Sequence, residues 1–214
     1  MGLFESMNQE ITARRIVPLI AIDDAASAGP LADAMLAGGL PVVEIAFRTD
    51  AAAEAIAAVA RSHPDMLLGA GTVLNVDNLK HARDAGAAFA LAPGFNPTVV
   101  AAAIEMELPF YPGVQTPTDI EAALAMGLTT LKFFPAGNAG GPATIKALSG
   151  PYGPAGVRFV PTGGVNQGNM NDYLALPTVA AIGGSWLAKR DDIAAGNWDA
   201  ITENCRQAVE SLKD

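Results

Sequence analysis

A single cysteine, Cys205, occurs in 214 residues, so no internal disulfide can form and the chain suits a reducing compartment. Histidine is nearly as scarce. His63 and His81 are the only two, and both fall in or beside expected helices, away from strand ends. That argues against a catalytic divalent metal, which wants imidazoles or clustered carboxylates pointing into a site. No apolar run approaches the ~20 residues that span a bilayer. The N-terminal stretch lacks the basic start and apolar core of a secretion signal. It does match the myristoylation pattern, with Gly2 and Ser6 in register, but so loose a pattern arises readily by chance. Positive charge is also sparse: 13 Lys and Arg against 22 Asp and Glu leave a net charge of −9. That balance disfavours general binding to nucleic acid or an anionic membrane, though not a local anion site. The expectation is a soluble, cytoplasmic protein.

Half of the residues are hydrophobic, enough for a substantial core and against disorder. Short apolar strands are expected near Ile16–Ile22, Pro41–Phe47, Met66–Ala70, Ala88–Ala92, Pro109–Pro112, Thr129–Phe134, Val157–Pro161 and Thr178–Ile182. Alanine-rich or amphipathic stretches separate them, among them Asp50–Ser62, Asn75–Asp84, Pro97–Glu105 and Thr116–Met126. Asn75, Thr116 and Asn166 are each placed to cap a following helix through a side-chain oxygen. A last helical stripe carries Trp198, Ile201, Cys205, Val209 and Leu212 and should dock on the body. Eight strand–helix units predict a parallel α/β fold, either an open doubly wound sheet or a (β/α)8 TIM barrel. The count of eight favours the barrel, near the lower size limit of ~200 residues for that architecture. A short N-terminal helix around Asn8–Arg15 would cover the barrel's bottom. Without a linker or composition break, residues 1–214 read as one domain.

Lys132 stands inside the apolar run Leu128–Pro135, where an isolated ammonium is costly unless it is paired or neutralised. A desolvated amine spends more of its time as the neutral, nucleophilic base. The other lysines, Lys80, Lys146, Lys189 and Lys213, have polar or helical surroundings that fit a solvated surface role. Strand alternation puts Thr130, Lys132 and Phe134 on one face, and Val42, Glu44 and Ala46 on one face of the second strand. Glu44 and Lys132 can therefore both project inward. The bland reading is a buried ion pair. The functional one is Schiff-base chemistry, in which the amine attacks a ketone and a neighbouring acid/base moves protons.

Other candidates sit at the carboxyl ends of the expected strands, where barrel active sites form. Arg48 offers a planar fork for a carboxylate or phosphate, with a rim salt bridge as the alternative. Thr72 could share that anion or cap the helix near Asn75. Pro93 follows the fourth strand. Gly163-Gly164 and Gly183-Gly184-Ser185 follow the seventh and eighth strands, where barrels often hold phosphate on backbone N–H groups and helix N-termini.

Taken together, Val43-Glu44-Ile45-Ala46-Phe47-Arg48-Thr49, Gly69-Ala70-Gly71-Thr72-Val73-Leu74, Leu131-Lys132-Phe133-Phe134-Pro135-Ala136, Pro161-Thr162-Gly163-Gly164 and Gly183-Gly184-Ser185-Trp186-Leu187 resemble the bacterial 2-keto-3-deoxy-6-phosphogluconate aldolases, which also cleave 4-hydroxy-2-oxoglutarate. The likeness spans nearly the whole chain. It implies a class I aldolase, metal-independent and without a cofactor, on a (β/α)8 barrel that is usually a homotrimer. By that resemblance Lys132 forms the imine and Glu44 is the general acid/base, working partly through a water. Arg48 and Thr72 hold the pyruvyl carboxylate, and Pro93 and Phe134 shape the pocket. Thr162 lies near the aldehyde end; Gly163, Gly164, Gly184 and Ser185 receive the phosphate. Cleavage of C3–C4 gives pyruvate and glyceraldehyde 3-phosphate. The chain departs from better-known members at Ala46 and Phe47, where a threonine and a leucine are usual.

Other readings are a related lyase for a 6-phosphogalactonate-derived acid, a phosphosugar isomerase or epimerase, and a non-catalytic phosphosugar sensor. The isomerase gives Lys132 no task. The sensor would expect erosion at Glu44 or Lys132, and both are present.

Overall fold

The computed structural model describes residues 2–212. Nine short strands are separated by helices, except that only Pro112 lies between β5 and β6: β1 Ile16–Ile20, β2 Val42–Ala46, β3 Leu67–Gly71, β4 Phe89–Leu91, β5 Phe110–Tyr111, β6 Gly113–Val114, β7 Thr130–Phe133, β8 Arg158–Pro161 and β9 Ile182–Gly184. Every pairing between them is parallel. Six strands follow the spatial order β5-β4-β3-β2-β1-β9, and three follow the order β6-β7-β8. Single bridges, Phe159 with Val179 and Thr162 with Gly183, connect the two groups. β1 and β2 are buried throughout, as expected where helical crossovers cover a parallel sheet.

The fifth expected strand is divided rather than continuous. The part within Pro109–Pro112 is β5, which pairs with β4, and a second short strand beyond the expected end, β6, follows Pro112 and pairs with β7. Proline has no N–H for the ladder, but the Pro112 carbonyl still accepts from the Lys132 N–H at 3.0 Å. The eighth strand begins later than expected. Ile182 pairs with Ile16 of β1, whereas Val179 makes only its one bridge and Ala180 donates to the Phe159 carbonyl at 2.9 Å. The buried Val179-Ala180-Ala181 run reads as strand in sequence, yet the ladder starts where β1 sets the register.

The helices preceding or following these strands are α1 Leu3–Arg14, α2 Ala28–Ala37, α3 Ala52–Ser62, α4 Val76–Asp84, α5 Pro97–Glu105, α6 Pro117–Ala125, α7 Gly141–Tyr152, α8 Met170–Leu174, α9 Arg190–Ala194 and α10 Trp198–Glu210. Asn75 caps α4 by accepting from the Asn78 N–H at 2.7 Å. Thr116 opens α6 through a reciprocal capping box with Asp119. Asn166 does not cap α8. Its Oδ1 accepts from the Gly168 N–H at 2.9 Å, and α8 begins four residues further on without a side-chain cap. The N-terminal helix is longer than expected. Behind it, the Arg15 guanidinium donates to the carbonyls of Leu174, Val179 and Ala180, fastening α1 at the amino-terminal ends of β1 and β9.

The terminal stripe docks as its periodicity requires. Ile201, Cys205 and Ala208 are buried, and Thr202 donates to the Ala34 carbonyl of α2 at 3.0 Å. Burial pushes the Cys205 thiol up to about 12. Because the thiolate is the reactive species, the native protein should resist Ellman's reagent at pH 8, while the denatured chain reacts fully at its one cysteine. Rapid native labelling would mean that α10 is not docked in solution.

Candidate active site

Lys132, on β7, reaches across the interior to Glu44, on β2, 88 residues earlier. Its Nζ donates to Oε1 at 3.0 Å. The two side chains are only 3% and 1% exposed. Lys80, Lys146 and Lys189 are exposed, and Lys213 lies outside the described residues. Leu131 and Phe133, on the opposite face of β7, are fully buried in the apolar core, and Phe133 meets Phe159 edge-on with centroids 6.1 Å apart. That packing fixes which face of β7 carries the lysine. Glu44 uses only Oε1 in the pair. Oε2 is buried and has no hydrogen-bond partner among the described residues, leaving one carboxylate oxygen to accept or deliver a proton.

Arg48 lies just beyond β2, and its Nε donates to Thr72 Oγ1 at 3.2 Å. Thr72 immediately follows β3 and holds φ at 57°, a conformation uncommon for a β-branched residue and costing ~1–3 kcal/mol. The hydroxyl thus orients Arg48 rather than capping α4, a task that Asn75 performs. Arg48 makes no ion pair among the described residues, so the alternative of a rim salt bridge is not realised. Thr49 donates to the Ile22 carbonyl, tying this loop to the end of β1.

A cavity of about 240 Å³ opens beside the pair, lined by Leu19, Arg48, Phe134, Thr162, Gly163, Gly164, Val165, Gly184 and Ser185. Lys132 and Glu44 are not in this lining. Leu19, the register partner of Glu44, and Phe134, two positions beyond Lys132 on the same face, connect them to it. The structure therefore gathers Arg48, Phe134, Thr162, Gly163, Gly164, Gly184 and Ser185 around one space, with Thr72 attached through Arg48. Pro93 stands slightly apart. Its carbonyl lies where a Cβ on Gly113 would fall, and Gly113 is the register partner of Lys132.

Sequence reasoning missed Leu19 and Val165. Uniform burial of β1 hides which of its residues point inward, and Val165 follows two glycines in a loop without periodicity. The expected helix dipoles are weak here, since α8 and α9 are five residues each. What the loop offers an anion is backbone. Gly163 and Gly164 both hold positive φ, 92° and 80°, a conformation that glycine adopts freely.

The histidines need a partial correction. His63 is half-buried between Ser62 and Asp33. His81 is exposed but not remote from the strand ends. With Phe47, Arg48, Thr49, Asp50, Ala53 and Asn78 it lines a broader depression of about 550 Å³, because α4 packs beside the loop that follows β2. Among the described residues, no group of three or more His, Cys, Asp or Glu is arranged to hold a metal ion.

Residues 7–204 match the family model described as KDPG and KHG aldolase. The chain is 43% identical to a 2-dehydro-3-deoxy-phosphogluconate aldolase of Haemophilus influenzae, over 96% of each chain. It superposes on a KDPG aldolase from Legionella pneumophila, whose crystal structure captured pyruvate as a covalent carbinolamine, with a TM-score of 0.90 and 39% identity over 94% of this chain and 97% of that one. A Zymomonas mobilis enzyme, 2-keto-3-deoxy-6-phosphogluconate aldolase with 3-phosphoglycerate, gives a TM-score of 0.85 and 35% identity over 94% of each chain.

Removing one member of a buried ion pair leaves an uncompensated charge, whereas replacing both with apolar groups is often neutral. Lys132→Met should therefore destabilise the fold by about 3–5 kcal/mol in denaturant titrations at pH 7. Lys132→Met with Glu44→Leu should recover most of that loss. A single variant as stable as the parent would show the pair to be solvated in solution.

Proposed function

The chain belongs to the KDPG and KHG aldolase family, and on that basis we propose that it is a class I aldolase cleaving 2-dehydro-3-deoxy-6-phosphogluconate to pyruvate and glyceraldehyde 3-phosphate. Cleavage of 4-hydroxy-2-oxoglutarate to pyruvate and glyoxylate follows the same chemistry. The observation that carries this reading is the buried Lys132 amine held 3.0 Å from the Glu44 carboxylate, in a chain whose family works through covalent capture of a ketone.

In this mechanism Nζ of Lys132 attacks C2 of the keto acid, and the resulting carbinolamine loses water to form an imine. Glu44 then accepts the C4 hydroxyl proton as the C3–C4 bond breaks. The bonding electrons pass to the imine, giving an enamine and releasing the aldehyde. Protonation at C3 followed by hydrolysis returns pyruvate and the free lysine. The imine is the electron sink, so neither a metal nor a cofactor is required. Oε2 of Glu44, without a hydrogen-bond partner among the described residues, is the oxygen assigned to these proton transfers, directly or through a water.

Arg48 and Thr72 take the C1 carboxylate, with Pro93 and Phe134 shaping the pocket around the pyruvyl unit. Thr162 lies toward the aldehyde. Gly163, Gly164, Gly184 and Ser185 receive the terminal phosphate through backbone N–H groups and one hydroxyl. Their shared lining of a single cavity with Arg48 supports this division of the substrate. Residues 1–214 form one domain in this reading. Its strands close into a (β/α)8 barrel in which β5 and β6 serve together as the fifth staves' position and the bridge from Thr162 to Gly183 joins β8 to β9. The assembly is a homotrimer working in the cytoplasm; no described helix is long and apolar enough to cross a membrane.

Borohydride added with pyruvate should trap one 1-carboxyethyl adduct, and peptide mapping should place it on Lys132. An adduct on another lysine, or none, would reject the mechanism. For the phosphate assignment, kcat/KM should fall by roughly ten- to a hundredfold when the substrate lacks its phosphate, the loss expected for one or more hydrogen bonds to a charged group. Equal values for both substrates would remove the phosphate site.

A further inference from the structure

Gly71 closes β3 at the level of the ion pair, opposite Ala46 of β2. Its backbone is ordinary strand, and it is absent from the glycines that hold positive φ, so conformation does not call for glycine here. Space does. A Cβ built on Gly71 would overlap Oε1 of Glu44 and lie 2.8 Å from both its Cγ and its Cδ. The carboxyl end of Glu44 therefore occupies the volume that any other residue at 71 would fill. One position earlier on the same face, Gly69 is the register partner of Glu44, and the Phe89 ring fills the volume its Cβ would occupy. Both inward-facing positions at this end of β3 are hollow, one filled by an aromatic ring and the other by the carboxylate.

We infer that Gly71 is a positioning residue for Glu44: its missing side chain forms the notch that seats the carboxylate against Lys132. This rests on the acid/base role given to Glu44 above. Glu44 is flexible, so a methyl group at 71 would be accommodated by displacement of the carboxylate rather than by collapse of the strand. Displacement breaks the contact at Oε1 and misaims Oε2. The lysine, on β7, keeps its place and its ability to form an imine.

The test uses Gly71→Ala, Glu44→Ala and the double variant, read by thermal unfolding, steady-state kinetics and borohydride trapping with pyruvate. Gly71→Ala should lower kcat about a hundredfold, the scale of a 1 Å misplacement of a catalytic group. KM should stay within about threefold, because uniform substrate binding is untouched. Trapping on Lys132 should persist. In the Glu44→Ala background the carboxyl is gone, so Gly71→Ala should lower neither the melting temperature nor the residual rate. That cycle also reads the notch if Gly71→Ala alone fails to fold. Overturning results are a kcat within about twofold of the parent, or an equal loss of melting temperature in both backgrounds. Failure to trap wild-type Lys132 would instead sink the catalytic reading while leaving the stability cycle interpretable.

Discussion

An ammonium and a carboxylate share one hydrogen bond inside the sheet, almost wholly withdrawn from water. Physical chemistry gives little reason for such a pair on grounds of stability alone. Desolvating two charges costs several kcal/mol per ion, and an apolar pair of similar size would often serve as well or better. What the pair provides is a sheltered amine beside a proton acceptor, the two groups that covalent capture of a ketone needs. The surrounding structure is arranged so that these groups meet. Phe133 and Phe159 turn β7 so that Lys132 faces inward, and small residues on neighbouring strands leave room for the glutamate.

Small side chains recur around the pair for the same reason. Gly113 is the register partner of Lys132 and abuts Pro93, while Gly71 abuts the Glu44 carboxylate. Ala46, opposite Gly71, is itself fully buried. Its methyl group adds an apolar wall on the strand that carries Glu44. The rim is built differently. Arg48 is exposed and is oriented by a hydroxyl whose backbone is held in a costly conformation. A buried pair at the centre and a polar, solvent-facing rim separate the amine and carboxylate from the exposed groups that can meet a substrate's charged ends.

The same frame weakens the rival readings. Phosphate loops serve isomerases and sensors as well as lyases, so Gly163 and Gly164 cannot discriminate among them. Lys132 and Glu44 can. A buried amine in contact with a carboxylate is what covalent capture of a ketone needs, whereas phosphate binding alone does not call for that pair.

Much of the layout was legible in the chain. Period-two alternation around Lys132 and Glu44 assigned both to inward faces, and glycine clusters marked the loops after the seventh and eighth strands. Asn75 and Thr116 announced their helices because a side-chain cap is a local event. Less local features escaped. Asn166 resembles a cap but closes a turn, and His81 sits in a helix that packs beside the loop after β2. The interior role of Leu19 is concealed by a strand buried on both sides. By itself the sequence determined the parallel α/β order, the family and the identity of the one lysine out of place, since these depend on composition and spacing along the chain. Only the tertiary structure decided that Lys132 meets a single oxygen of Glu44, that Pro112 divides a strand, and that a Cβ at Gly71 would fall on that carboxylate. Those outcomes depend on the register between strands distant in sequence, and alternation fixes a residue's face without fixing its height.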